Sequence, residues 1–150
     1  MLEEVAERAG VGIGTLYRHF PTRQVLREAV YADEVEAMAH AARDLAGRPP
    51  WDAVADWLRQ YVGFAATKRA LMDAMLEAAP DSDVLISCRA ALSQAGTELI
   101  VRAQEAGLMR PDVEFIDVVR MASQIALTPN TDREQKDRML EIVLDGLRAR

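Results

Sequence analysis

Between residues 2 and 23 the sequence reads LEEVAERAGVGIGTLYRHFPTR, two short helical periods hinged on one glycine, and this stretch limits the possible folds more than any other. Leu2, Val5, Ala6 and Ala9 fall at i, i+3, i+4 and i+7, which gathers the apolar side chains on one stripe of a first helix. Gly10 ends that helix, because glycine adopts the left-handed backbone of a helix terminus without strain, and Val11 is expected to return to the core directly afterwards. A second helix is predicted from Ile13 to His19, with Leu16 and Phe20 inward. Two helices joined by a tight glycine turn make a helix-turn-helix. Thr22 then offers a side-chain cap for a third helix, and Arg23 adds charge to its first turn.

The outward set on the second helix is Thr15, Tyr17, Arg18 and His19. Hydroxyl, imidazole and guanidinium groups donate to phosphate oxygens, and Gly12 and Gly14 let the chain approach a groove closely. Charge points the same way. No acid occurs between Gly10 and Arg27, and residues 1–30 balance four bases against four acids, so the net charge of −6 arises entirely in residues 31–150. A locally basic face on an acidic body meets a polyanion at one place without clinging to it at random.

The run GVGIGTLYRHFPTRQVLREAV resembles the DNA-binding segment of the TetR-like family of bacterial transcriptional regulators, whose recognition helix commonly carries T-L-Y-x-H-F followed by a short turn and a base. The resemblance implies an N-terminal helix-turn-helix and an all-helical C-terminal region that dimerises and usually binds a small molecule. Carried over residue by residue, Thr15, Tyr17, His19 and Arg23 match phosphate-contacting positions, while Gly12, Ile13, Gly14 and Arg18 lie where base edges are approached. The family places a further helix before this motif. Met1 falls directly on the second family helix, so the DNA-binding domain is expected to be partial, over residues 1–24, with a ligand-binding and dimerisation domain over 25–150.

Downstream the apolar period stays helical and never alternates, which makes the fold class all-α, an antiparallel bundle behind the helix-turn-helix. A long helix is predicted to reach Leu45, with Leu26, Ala29, Val30, Val35, Met38, Ala42 and Leu45 inward, before Gly47, Pro49 and Pro50 stop it. In the resembled family the tilt of this helix sets the separation of the two DNA-reading ends. Trp51 to Lys68 forms the next helix, and Leu71, Met72, Met75 and Leu76 a shorter one ending at Pro80. Asp81 or Ser82 caps a helix with Leu85, Cys88, Leu92, Ala95 and Leu99 inward, closed by Gly107. Met38, Trp57, Tyr61, Phe64, Met72, Met75, Cys88, Leu92, Met121 and Gln124 concentrate soft and aromatic side chains with polar handles, the composition of an adaptable effector pocket and equally of plain core.

Two final helices are apolar on more than one side. The first runs through Phe115 to Ala126, and the last opens with Thr131 and Glu134 at capping-box spacing. A pair with a second apolar face needs a second copy of itself or more protein, and the resembled family forms a four-helix dimer interface from it. Val118, Val119, Ala122, Ile125, Met139, Leu140, Val143 and Leu147 are the candidate interface residues of a homodimer.

Other chemistry is thin. His19, His40 and Cys88 share no ligand spacing, so no metal site is expected, and no cofactor motif or nucleophile elbow occurs. One cysteine excludes an internal disulfide, charges interrupt the apolar runs, and no leader pattern opens the chain, so no membrane association and a cytoplasmic address are expected. The chain is therefore read as a regulator of transcription, not an enzyme, that binds operator DNA and is released by a small-molecule effector. The alternative is a helical ligand- or protein-binding module that does not engage DNA in this truncated form.

Overall fold

The computed structural model describes residues 2–150, and among these the helices are α1 (Leu2–Ala9), α2 (Ile13–His19), α3 (Arg23–Asp44), α4 (Pro50–Ala78), α5 (Asp83–Glu105), α6 (Phe115–Leu127) and α7 (Arg133–Leu147). The all-α expectation holds. The local signals explain the boundaries. Gly10 and Gly107, at φ +68° and +70°, close α1 and α5 in the backbone region that a side chain disfavours. Thr22 Oγ1 accepts a 3.2 Å hydrogen bond from the Val25 amide and caps α3. Pro50 opens α4, where its fixed φ and missing N–H cost nothing.

Some local expectations need correction. The two helices predicted on either side of Lys68 are one, α4, because no residue between Trp51 and Ala78 breaks a helix strongly and the Thr67 hydroxyl folds back onto the Gly63 and Phe64 carbonyls. At α7 the cap is Asp132, which accepts from the Gln135 amide at 2.7 Å, and the Thr131 hydroxyl instead donates to the Thr128 carbonyl. A capping box does occur, at Glu114 and Asp117 on α6. Ser82 sits at the start of α5 without capping it; its hydroxyl donates to Glu28 Oε1 of α3 at 2.8 Å. Val11 is exposed. On α3 the inward residues are Tyr31, Val35, Met38, Ala39 and Ala42, whereas Ala29 and Val30 face out.

The helices bury three apolar clusters. Leu2 and Ala6 of α1 and Leu16 of α2 close on one another with Phe20 and Leu26 beside them. The main core joins the second half of α3, the first half of α4, the second half of α5, α6 and α7 around Trp57, Leu58 and Val118. Trp57 Nε1 donates to the Met38 carbonyl at 3.0 Å, so the indole is buried with its polar atom satisfied. Between these lies a smaller cluster of Tyr31, Val35, Met75, Leu85 and Cys88, which ties the front of α3 to the end of α4 and the start of α5. By length and composition α5 is long and apolar enough to cross a membrane, but Arg89 and Glu98 interrupt it, and its buried residues pack against α3, α4 and α6. The chain end returns to the α5–α6 loop, where the Arg110 amide donates to the Leu147 carbonyl and the Ala149 amide to the Leu108 carbonyl, each at 3.0 Å.

Candidate functional site

Two places combine accessible polar chemistry with a fixed scaffold. The first is the outer side of α2 and the start of α3. Gly12, Ile13, Gly14, Thr15, Tyr17, Arg18, His19 and Arg23 are all exposed, while Leu16 between them is buried against Leu2 and Ala6. One inward side chain therefore anchors a seven-residue helix whose remaining side chains face solvent. The glycines here are informative. A Cβ built on Gly14 meets nothing within 4 Å, and one on Gly12 meets only Thr15 Oγ1 at 4.0 Å. Gly12 has an ordinary φ of −68°. Packing does not call for a glycine at either position; Gly12 is the N-cap of α2, where glycine is favoured, whereas Gly14 lies inside the helix, where it costs about 1 kcal/mol against alanine. At Gly14 the missing side chain leaves the helix backbone open to solvent.

The second place is an elongated hollow between α3, α4, α5 and α6. It consists of two cavities, of 300 Å³ and 640 Å³, that share Tyr31, Tyr61, Met72 and Arg89 in their walls. These are volumes of the size that small-molecule sites occupy. The first cavity runs along α4 past Phe64, Lys68 and Arg69 to Ser123 of α6. The second runs along α5 past Leu92, Ser93 and Thr97 to Phe115 and Val119. Aromatic contacts fix the Tyr61 ring at the seam: Trp57, sealed in the core, stacks on it with centroids 5.5 Å apart, and Phe64 lies tilted 6.0 Å from it. The Tyr61 hydroxyl is 3.0 Å from Ser123 Oγ. Burial raises the Tyr61 phenol, and it pushes the Tyr31 phenol up to about 12, with Cys88 and Tyr61 adding and the Arg89 charge opposing. Both phenols are thus neutral hydrogen-bond donors at neutral pH.

Of the ten effector residues expected from sequence, Tyr61, Phe64, Met72 and Leu92 line these cavities. Met38, Trp57, Met75 and Cys88 do not, because they are sealed in the two cores behind the walls. Met121 and Gln124 lie on the outer side of α6, exposed. Sequence reasoning missed Tyr31, Arg89, Ser123 and Phe115. For Tyr31 a signal existed, since 31, 35, 38 and 42 continue one helical stripe. For Arg89 none did, because a lone arginine on a helix reads as solvated surface.

The expected dimer residues divide similarly. Val118, Ala122, Ile125, Leu140 and Leu147 are buried within the chain's own core. Val119, Met139 and Val143 are half-buried against that core. The apolar side chains that α6 and α7 turn outward are Ile116, Met121 and Ile142, the last 71% exposed.

Two stretches of the chain match known families separately. Residues 1–30 match the bacterial regulatory proteins of the tetR family, and residues 49–149 match the C-terminal domain of SbtR-like transcriptional regulators. The HTH-type transcriptional repressor KstR of Rhodococcus jostii is 30% identical over 130 residues, which cover 85% of this chain and 59% of that repressor. The chain thus spans less than two thirds of the curated relative it matches. Among solved structures, a TetR transcriptional regulator from Streptomyces coelicolor superimposes with a TM-score of 0.82 at 39% identity, over 99% of this chain and 87% of that one. A TetR transcription regulatory protein from Mycobacterium vanbaalenii gives 0.77 at 33% identity, over 99% and 83%. With its helix-turn-helix at α1 and α2 and an SbtR-like body behind it, the chain belongs to the TetR family of bacterial regulatory proteins.

Proposed function

We propose that this protein is a cytoplasmic DNA-binding repressor of transcription, a homodimer that leaves its operator when a small molecule fills the hollow between α3, α4, α5 and α6. The observation that carries the reading is the surface of α2, where every non-core side chain is accessible and two glycines stand in open space beside Thr15, Tyr17 and Arg18. Residues 1–24 are assigned to DNA binding and 25–150 to effector binding and dimerisation. Thr15, Tyr17, His19 and Arg23 hold phosphates, and Gly12, Ile13, Gly14 and Arg18 face base edges, in successive major grooves for the two protomers. KstR is a repressor, and repression is the mode inferred for this chain. The outward apolar residues Met121 of α6 and Ile142 of α7, with the half-buried Met139 and Val143, are assigned to the dimer face.

The coupling has a structural basis in α3. One uninterrupted helix carries Arg23 at its start and Tyr31 in the cavity wall, so a ligand that displaces the ring shifts the helix that positions α2. The effector need not touch the DNA-reading residues.

The test is selection of an operator from random duplexes, followed by fluorescence anisotropy at fixed salt. Arg18→Ala should cost about 1–3 kcal/mol and relax sequence preference at its base, whereas Thr15→Ala should weaken all duplexes evenly. Failure to enrich any sequence would favour the module that binds a ligand or protein without DNA.

A further inference from the structure

The hollow contains charged groups on both sides, and nearly all are already satisfied. Lys68 pairs with Glu34 at 3.0 Å, and Arg69 holds Asp73 at 2.8 and 2.9 Å. Glu114 is engaged in the capping box of α6. Arg89 is the exception: it lines both cavities and makes no hydrogen bond or ion pair among the described residues. Beside it Tyr31, only 2% exposed, also lines both cavities and has a hydroxyl with no hydrogen-bond partner among the described residues. The Tyr31 hydroxyl is reachable from the hollow, and the Arg89 guanidinium stands at the same wall as a cation available to a ligand. The guanidinium can only donate, and the neutral phenol O–H can donate beside it. What satisfies them together is an acceptor carrying negative charge, and beside the paired charges and the hydroxyls of Ser93, Thr97 and Ser123 the wall offers apolar surface at Phe64, Leu92 and Phe115.

We propose, resting on the reading of this hollow as the effector site, that its ligand is a monocarboxylate with an apolar body. The carboxylate takes the Tyr31 hydroxyl hydrogen and the Arg89 guanidinium, and the body lies along Tyr61, Met72, Leu92 and Phe115. Because Tyr31 belongs to α3 and Arg89 to α5, the carboxylate bridges the helix that leads to α2 and the helix packed along it. The negative group itself then pulls on α3, and the apolar body supplies affinity.

Titration of the full chain with decanoate, decanol and decyltrimethylammonium, each below its micellar concentration and followed by tryptophan fluorescence, tests this. Decanoate should bind about tenfold or more tighter than decanol, the scale of a hydrogen bond to a charged group, and the cation should bind weakest. Arg89→Gln and Tyr31→Phe should each weaken decanoate about tenfold while leaving decanol unchanged. Both variants keep the fold, since one changes an exposed residue and the other removes a hydroxyl that bonds nothing; an unchanged melting midpoint without ligand checks it. Decanol binding as tightly as decanoate, or decanoate affinity unchanged in Arg89→Gln, would overturn the carboxylate assignment and leave the effector site standing. No binding by any of the three would overturn both.

Discussion

Replacing Gly96 by alanine sets two known effects against each other with a sign the structure decides. Gly96 is buried in α5, where alanine would gain about 1 kcal/mol from helix propensity. A Cβ built there, however, meets three atoms of the Phe115 ring at 2.1, 2.7 and 3.0 Å. The ring must retreat from 2.1 Å to at least 3.4 Å, and Trp57 stands behind it with ring centroids 6.0 Å apart. Overpacking of this kind costs about 1–3 kcal/mol, and an overlap this deep belongs at the upper end. The net expectation is a loss of about 1–2 kcal/mol, seen as a melting midpoint lower by roughly 2–8 °C at this chain length. Circular dichroism melts of Gly96→Ala at fixed protein concentration measure it. The decisive control is Phe115→Ala, in whose background the same change should become stabilising by about 1 kcal/mol, because only the propensity gain remains. If Gly96→Ala alone stabilises, Phe115 yields freely and the close approach has no energetic weight. Since Phe115 also lines the larger cavity, the variant should alter ligand affinity as well.

Ile142→Glu should convert the proposed dimer to monomer in sedimentation without lowering helix content, whereas Leu140→Glu, placed in the core, should unfold the protein; a persistent dimer in the first would remove α7 from the proposed interface. The Tyr31 phenol ionises near 12 when folded and near 10 when unfolded, so the stability it contributes is complete below pH 10 and is lost as pH rises to 12. The unfolding free energy from urea titrations should fall across that window by about 2 kcal/mol or less, and Tyr31→Phe should flatten the fall. Glu28 accepts from Gln24 Nε2 at 3.0 Å and Ser82 Oγ at 2.8 Å, joining α3 to the start of α5. Glu28→Ala should cost about 1–3 kcal/mol of stability and weaken the response of DNA affinity to effector more than DNA affinity itself; an unaltered response in anisotropy would show that this contact does not transmit.

Local chemistry was legible in the sequence wherever it was set by neighbours along the chain. Gly10, Thr22, Pro50 and Gly107 act within one or two turns of themselves, and the helix boundaries they mark appear where their residue types place them. The accessible side chains of α2 were legible for the same reason: once Leu16 is known to face in, a helix of seven residues leaves Thr15, Tyr17, Arg18 and His19 outside. Register over longer spans was legible only in part. On α3 the stripe through Val30 and the stripe through Tyr31 both satisfy a helical period, and packing against Met75 and Leu85 chose the second.

Which apolar face is core and which is surface could not be read at all for α6 and α7. Periodicity counts apolar residues without saying what covers them, and burial is decided by helices distant in sequence: Val118 and Ile125 go inward because α4 packs there, leaving Ile142 to solvent. The hollow is the extreme case. Its walls come from four helices, its unpaired cation from a residue type that is ordinarily solvated, and its buried phenol from a helix that looks like a connector. A cavity is the space that packing leaves unfilled, so only the assembled tertiary structure fixes where it lies.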